Sequence, residues 1–161
     1  MTPHVTSQAL AVIIARLQPL SGSHGIPKIA RRPISQIRDP DLPAIIVQYD
    51  GEGVGETTAS RSSRPIQNRE IRFSVIAADK LPGGIGRDIE GEVLEDRLLD
   101  LGAAVEEVLL DPDVEGALIH NITLRDVDME ISDEGERPLG YLRQQFSMTV
   151  RTRSGAPKTP L

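Results

Sequence analysis

The chain has 161 residues, 39% of them hydrophobic, with 14 glycines, no cysteine, and 24 acidic against 18 basic side chains for a formal charge of −6. This suits one domain with an aliphatic core, because only two Phe, two Tyr and no Trp are present. Stacking recognition of single strands or sugars lacks aromatic platforms, general DNA binding by counterion release needs the opposite charge, and disulfide, thiolate or Cys-zinc chemistry has no cysteine to use.

Leu10, Ile13, Ile14 and Leu17 recur at helical spacing after the possible caps Thr2 and Thr6, and Pro19 with Ser21-Gly22-Ser23 closes this amphipathic helix. The apolar run Ala9 to Leu17 contains Arg16 and has no basic leader. It is far short of the roughly 20 residues of a membrane span. The expectation is a soluble chain of a reducing cytoplasm, with neither signal peptide nor membrane anchor. From Gly22 to Pro43, Pro27, Pro33, Pro40 and Pro43 stand among Lys28, Arg31, Arg32 and Arg38, which predicts a long extended connection without regular structure.

The run 44–49, Ala-Ile-Ile-Val-Gln-Tyr, predicts a strand between Pro43 and Asp50-Gly51. Arg69 to Ala77 predicts a second, with Ile71, Phe73, Val75 and Ala77 alternating against Glu70, Arg72 and Ser74. Between them Gly51 to Gln67, which holds Glu52, Arg61 and Arg64, predicts a projecting mobile loop. After a Gly-rich joint at 82–86, Asp88 is the expected N-cap of a helix carrying Leu94, Leu98, Leu101, Val105 and Val108, stopped by Asp111-Pro112.

Two long strands follow, joined by the turn-rich segment Ser132 to Gly140. In the first, the apolar phase switches from Ile122 and Leu124 to Val127, Met129 and Ile131, which predicts a bulge near Arg125-Asp126. The order of elements implies an α+β fold: an antiparallel or mixed sheet of about four to five strands with two main helices packed on one face, and long loops. A single domain over 1–152 is expected, followed by a flexible tail at 153–161.

Groups for catalysis are scarce. His4, His24 and His120 are scattered, and neither GxSxG nor HExxH occurs. The glycine segment 81–91 has neither dinucleotide nor P-loop spacing, and Asp88, Glu90 and Glu92 put negative charge where an anion would sit. The segment 111–116 opens like a calcium loop, but its twelfth position is Ile122, which cannot supply the bidentate carboxylate. No catalytic residue, metal ligand or cofactor site is assigned. Asp126, Asp128 and Glu130 alternate with Val127, Met129 and Ile131, so three carboxylates stand in a row on one side of a strand. That row suits a solvated edge or an interface, with Arg31, Arg32, Arg38, Arg61 and Arg64 of a neighbour as expected partners. A divalent metal held by the row is the alternative.

Across roughly residues 42–152 the chain resembles the tail-terminator, or minor tail protein U, family of long-tailed bacteriophages. The resemblance is carried by Leu42 to Tyr49, the loop Asp50-Gly51-Glu52-Gly53, the basic strand Arg69 to Ile76 and the helix Leu98 to Glu106 closed by Leu109 to Pro112. Its most specific part is the ending: Asp128-Met129-Glu130, the turn Gly135-Glu136-Arg137-Pro138-Leu139-Gly140, and the strand Phe146 to Thr152, where Val150 stands in place of the family's common tyrosine. The resemblance implies a non-enzymatic virion protein of the tail neck. It would assemble in the bacterial cytoplasm into a homohexameric ring that stops tail-tube growth. Its implied partners are itself, the tail-tube protein and the head-tail connector or head-completion protein, with DNA passing through without specific binding. The expected interface residues are Arg31, Arg32, Arg38, Glu52, Arg61, Arg64, Asp126, Asp128, Glu130 and Arg151. Two other expectations stand beside this one: a neighbouring tail-completion or head-closure protein, and a small metal-dependent binding or hydrolytic domain built on the carboxylate row.

Overall fold

The computed structural model describes residues 1–31, 38–56, 64–81, 87–111, 116, 118–132 and 139–161. Its elements in chain order are α1 (Val5–Leu17), a single-turn α2 (Leu20–Ser23), β1 (Lys28–Ala30), a 3-10 turn (Asp39–Asp41), β2 (Ala44–Glu56), β3 (Ile66–Lys80), α3 (Arg87–Leu109), β4 (Asn121–Ser132) and β5 (Leu139–Arg153). The strands form one mixed sheet in the order β1-β2-β3-β5-β4. β1 runs parallel to β2, and every other pairing is antiparallel. α1 and α3 pack on the sheet and on each other. The fold is α+β, as expected.

The strand periodicity divides the sheet into two chemically different faces. On β3 the odd positions Ile71, Phe73, Val75 and Ala77 join Leu142, Phe146, Met148 and Val150 of β5 beneath the helices. The Phe73 and Phe146 rings stack with centroids 5.4 Å apart. Leu10, Ile13 and Leu17 of α1 and Leu94, Leu98, Leu101 and Val105 of α3 close this core from above. The last apolar anchor of α3 is Leu109, fully buried, where the spacing pointed to Val108, which is half-buried.

α3 lies close against β5 at two glycines. A Cβ on Gly102 would run into Leu142 Cδ2, and one on Gly140 would meet Leu98 Cδ1 at 2.6 Å. The contact at Gly102 is reinforced by the Gln144 side-chain amide, which donates to Gly102 O at 3.1 Å. A helix-interior glycine costs about 1 kcal/mol against alanine; here it allows the helix to reach the sheet.

Several expectations need correction. Neither Thr2 nor Thr6 caps α1: the N-cap is His4, whose Nδ1 accepts from Thr6 N–H at 3.2 Å. The stretch read as an irregular connection from 22 to 43 contains β1 and the 3-10 turn, and the Leu42-Pro43 peptide is cis. β2 does not end at Tyr49. It bulges at Asp50 and continues to Glu56, while β3 begins at Ile66, so much of the expected loop 51–67 is hairpin. Gly51 turns this bulge with φ +136°, a region that suits glycine. α3 starts at Arg87, ahead of the expected cap Asp88. The predicted bulge in β4 is present, with the register shifting between Leu124 and Asp126. The glycine joint 82–86 and Pro112 to Glu115 of the calcium-like segment lie outside the described residues.

Residues 154–161, read as a flexible tail, turn back beside β5 and α1. Leu161 N–H donates to Arg151 O at 3.0 Å, Val5 N–H to Pro157 O at 2.9 Å, and the Gln8 amide to Lys158 O at 3.0 Å.

Candidate functional site

With both main helices on one side, the other face of the sheet carries a buried patch of Ala44, Ile46, Ile76 and Ala78 on β2 and β3, and beside it the polar positions of the strands lie open. β3 presents Glu70, Arg72 and Ser74, and β5 presents Arg143, Gln145, Ser147, Arg151 and Arg153. Register aligns Asp126, Asp128 and Glu130 of β4 beside Gln145, Arg143 and Tyr141. The β4 bulge makes this row possible: the extra residue Arg125 shifts the phase, keeping Val127 and Met129 on the helix side and all three carboxylates on the open side.

Two ion-pair groups occupy the middle of the open face. Asp50, at the β2 bulge, accepts from the Ser74 hydroxyl and from Arg143 Nη2 at 3.2 Å, and Arg143 Nε donates to Ser74 Oγ at 2.9 Å. Arg125 Nε donates to Ser147 Oγ at 2.8 Å, and its Nη2 lies 3.2 Å from Glu70 Oε1. A concavity of about 290 Å³ lies between these groups, and Arg72 also lines it. Towards the carboxylate row lies a larger concavity of about 730 Å³, lined by Gln48, Ile76, Tyr141, Asp128, Glu130 and Arg143. Burial, with the Glu130 charge second, raises the Tyr141 hydroxyl above its ordinary pKa, so it stays a hydrogen-bond donor at neutral pH.

The sequence-derived interface residues divide into groups. Asp126, Asp128, Glu130 and Arg151 are exposed on the open face. Arg31, Arg38 and Arg64 are exposed away from the carboxylate row, after β1, before the 3-10 turn and beside Gly155 respectively. Arg32 and Arg61 lie outside the described residues. Glu52 is engaged inside its own subunit: it accepts from Thr6 Oγ1 at 2.6 Å and from Arg69 Nη1 at 2.7 Å, while Arg69 Nε donates to Thr152 Oγ1 at 3.2 Å. This cluster ties α1 to β2, β3 and β5.

Sequence reasoning missed Asp50, Glu70, Arg72, Arg125, Arg143 and Arg153. The period-two placement of Arg143, Arg151 and Arg153 was visible in β5; the position of Asp50 depends on an unrecognised bulge. The histidines do not converge. His4 caps α1, His24 Nδ1 sits 2.8 Å from Ser23 Oγ, and His120 precedes β4 with Nε2 buried and without a hydrogen-bond partner. Among the described residues no three His, Asp or Glu side chains are grouped to share a metal ion. One further acid is buried: Asp79 on β3 accepts from Lys80 N–H at 2.8 Å through Oδ1. Its Oδ2 stands 2.8 Å from Arg97 Nη2 of α3, off the line of a hydrogen bond. Burial raises the Asp79 pKa, against the lowering effects of the Lys80 N–H and of Arg97.

By fold and site the molecule is an α+β protein with one sheet face under the two main helices and the other carrying exposed charged side chains on β3, β4 and β5. No helix among the described residues is long and apolar enough to cross a membrane. The chain matches no known family model, and no curated protein matches it.

Proposed function

We propose that the chain is a tail-terminator-type subunit of a long-tailed bacteriophage, assembling as a ring on the head-proximal end of the tail tube and ending its growth. The ordered resemblance across 42–152 suggests this role. The observation that carries it furthest is that the sheet ends in two unlike edges among the described residues: β1, three residues long and paired in parallel, and β4, twelve residues long and paired antiparallel. A closed ring is built by joining unlike surfaces head to tail, and a subunit with two different edges supplies them. Unpaired strand edges invite pairing with another chain, and the resemblance supplies the partners: a second subunit, the tube protein, and the connector.

In this reading the chain carries no catalytic residue. It acts by occupying the growing end of the tube with a surface that accepts no further tube subunit, and its net charge of −6 favours passage of DNA over retention. Electron microscopy of the purified protein mixed with tail tubes tests it. Rings seated at one tube end, with tube length held constant, are expected. A protein that attaches to neither tube ends nor virions would sink the proposal. Labelling at the head-proximal side of the connector, away from the tube, would favour a neighbouring neck protein instead.

A further inference from the structure

The open face has an internal charge balance that points to a second copy of this chain. Asp50 is taken by Arg143, Glu70 by Arg125 and Lys80 by Asp39. Across β3, β5 and β4 this leaves three arginines, Arg72, Arg151 and Arg153, and three carboxylates, Asp126, Asp128 and Glu130. All six are exposed, and none has an ion-pair partner among the described residues.

Their arrangement is ordered along the strands. Register sets Arg153, Arg151 and then Arg72, opposite Ser147, at one end of the face. Asp126, Asp128 and Glu130 follow, opposite Gln145, Arg143 and Tyr141, at the other end. From Arg153 to Tyr141 the face extends roughly 40 Å at about 3.4 Å per residue. A surface that is positive at one end and negative at the other, with the already neutralised Glu70 and Arg143 set within those ends opposite Thr149 and Asp128, is complementary to itself under a two-fold rotation.

We propose that the open faces of two copies pack against each other about a two-fold axis through the Asp50–Arg143 and Glu70–Arg125 region, each arginine end meeting the other's carboxylate row. The larger concavity has the form of a receptor for those arginines. Ile76 and Tyr141 offer an apolar and aromatic surface for the side-chain stem and guanidinium plane, and Asp128 and Glu130 line the same concavity and can accept the N–H groups. Such a contact is isologous and closes at two copies, whereas the ring proposed above joins unlike edges, so the face pairing does not depend on the ring.

Sedimentation velocity of the full chain tests it. A dimer is expected at about 50 mM salt, loosening at about 500 mM as the Debye length shrinks. Two opposite charge reversals follow: R72E/R151E/R153E makes the whole face acidic, and D126R/D128R/E130R makes it basic. Each alone is expected to weaken pairing on the order of 100-fold, and a 1:1 mixture to restore a mixed dimer, because each then meets the opposite sign at both ends. Circular dichroism checks the folding of each variant; if a triple reversal unfolds, Arg151→Glu and Asp128→Arg carry the same mixing test. A monomeric wild type at both salt concentrations would overturn the inference, as would undiminished pairing of either variant or a mixture that stays monomeric. Rings that form without face-to-face pairs would also overturn it, while leaving the tail-terminator reading standing.

Discussion

Asp79 is the side chain whose environment runs most against its chemistry, a carboxylate held beneath α3 with 2% of its side chain exposed. Burial raises its pKa above 3.8 despite Arg97 and the Lys80 N–H. In the interval just above 3.8 the folded chain therefore holds this proton more firmly than the unfolded chain. Its contribution to stability is greatest at low pH and is lost as pH rises through the raised value. Asp79→Asn keeps an oxygen for the Lys80 N–H and removes the buried charge. The released Arg97 is 42% exposed, so loss of that pair costs little. The variant is expected to match or exceed the wild-type stability at neutral pH, with the difference shrinking as pH falls towards 3.8; urea denaturation across that range measures it. A variant markedly less stable at neutral pH would show that the Arg97 pair outweighs desolvation. The acid itself was plain in the strand, but its burial was not, because strand alternation does not say which end of the odd-numbered face a helix covers.

The β4 bulge and the α3–β5 contact are the elements that create the open face. The bulge could be read directly: Leu124 and Val127 both need the helix side, and period two cannot satisfy both without an extra residue. Asp50 gave no such sign, since the glycine-rich sequence after it reads equally well as a loop. β1 was also hidden, because three residues carry no periodicity and a parallel partner is supplied only by the fold. At Gly102 two effects compete. Alanine would gain about 1 kcal/mol of helix propensity, but its methyl would press on the Cδ2 of Leu142, which is 2% exposed and packed in the core. Overpacking of this kind costs about 1–3 kcal/mol, and it is expected to prevail: Gly102→Ala should be less stable by roughly 1 kcal/mol, visible as a lower urea midpoint at unchanged slope.

At the scale of the molecule the two ends of the chain are joined. The Pro157 carbonyl accepts from Val5 N–H in the first turn of α1, where helix N–H groups otherwise lack partners, and the Lys158 carbonyl accepts from the Gln8 side-chain amide. Removing residues 154–161 is expected to speed hydrogen exchange at the α1 N-terminal amides and to lower stability by about 1–2 kcal/mol. Unchanged exchange at Val5 would show that this segment does not hold the helix. Sequence by itself determined the α+β class, the aliphatic core, the main strands and helices and the acidic row on β4, because periodicity of 3.6 or 2 and turn chemistry are local properties. The tertiary structure alone decided that Glu52 turns inward to Arg69 and that Arg72, Arg151 and Arg153 share a face with Asp126, Asp128 and Glu130. Those relations depend on strand order and on the bulges that set side-chain phase across strands distant in sequence.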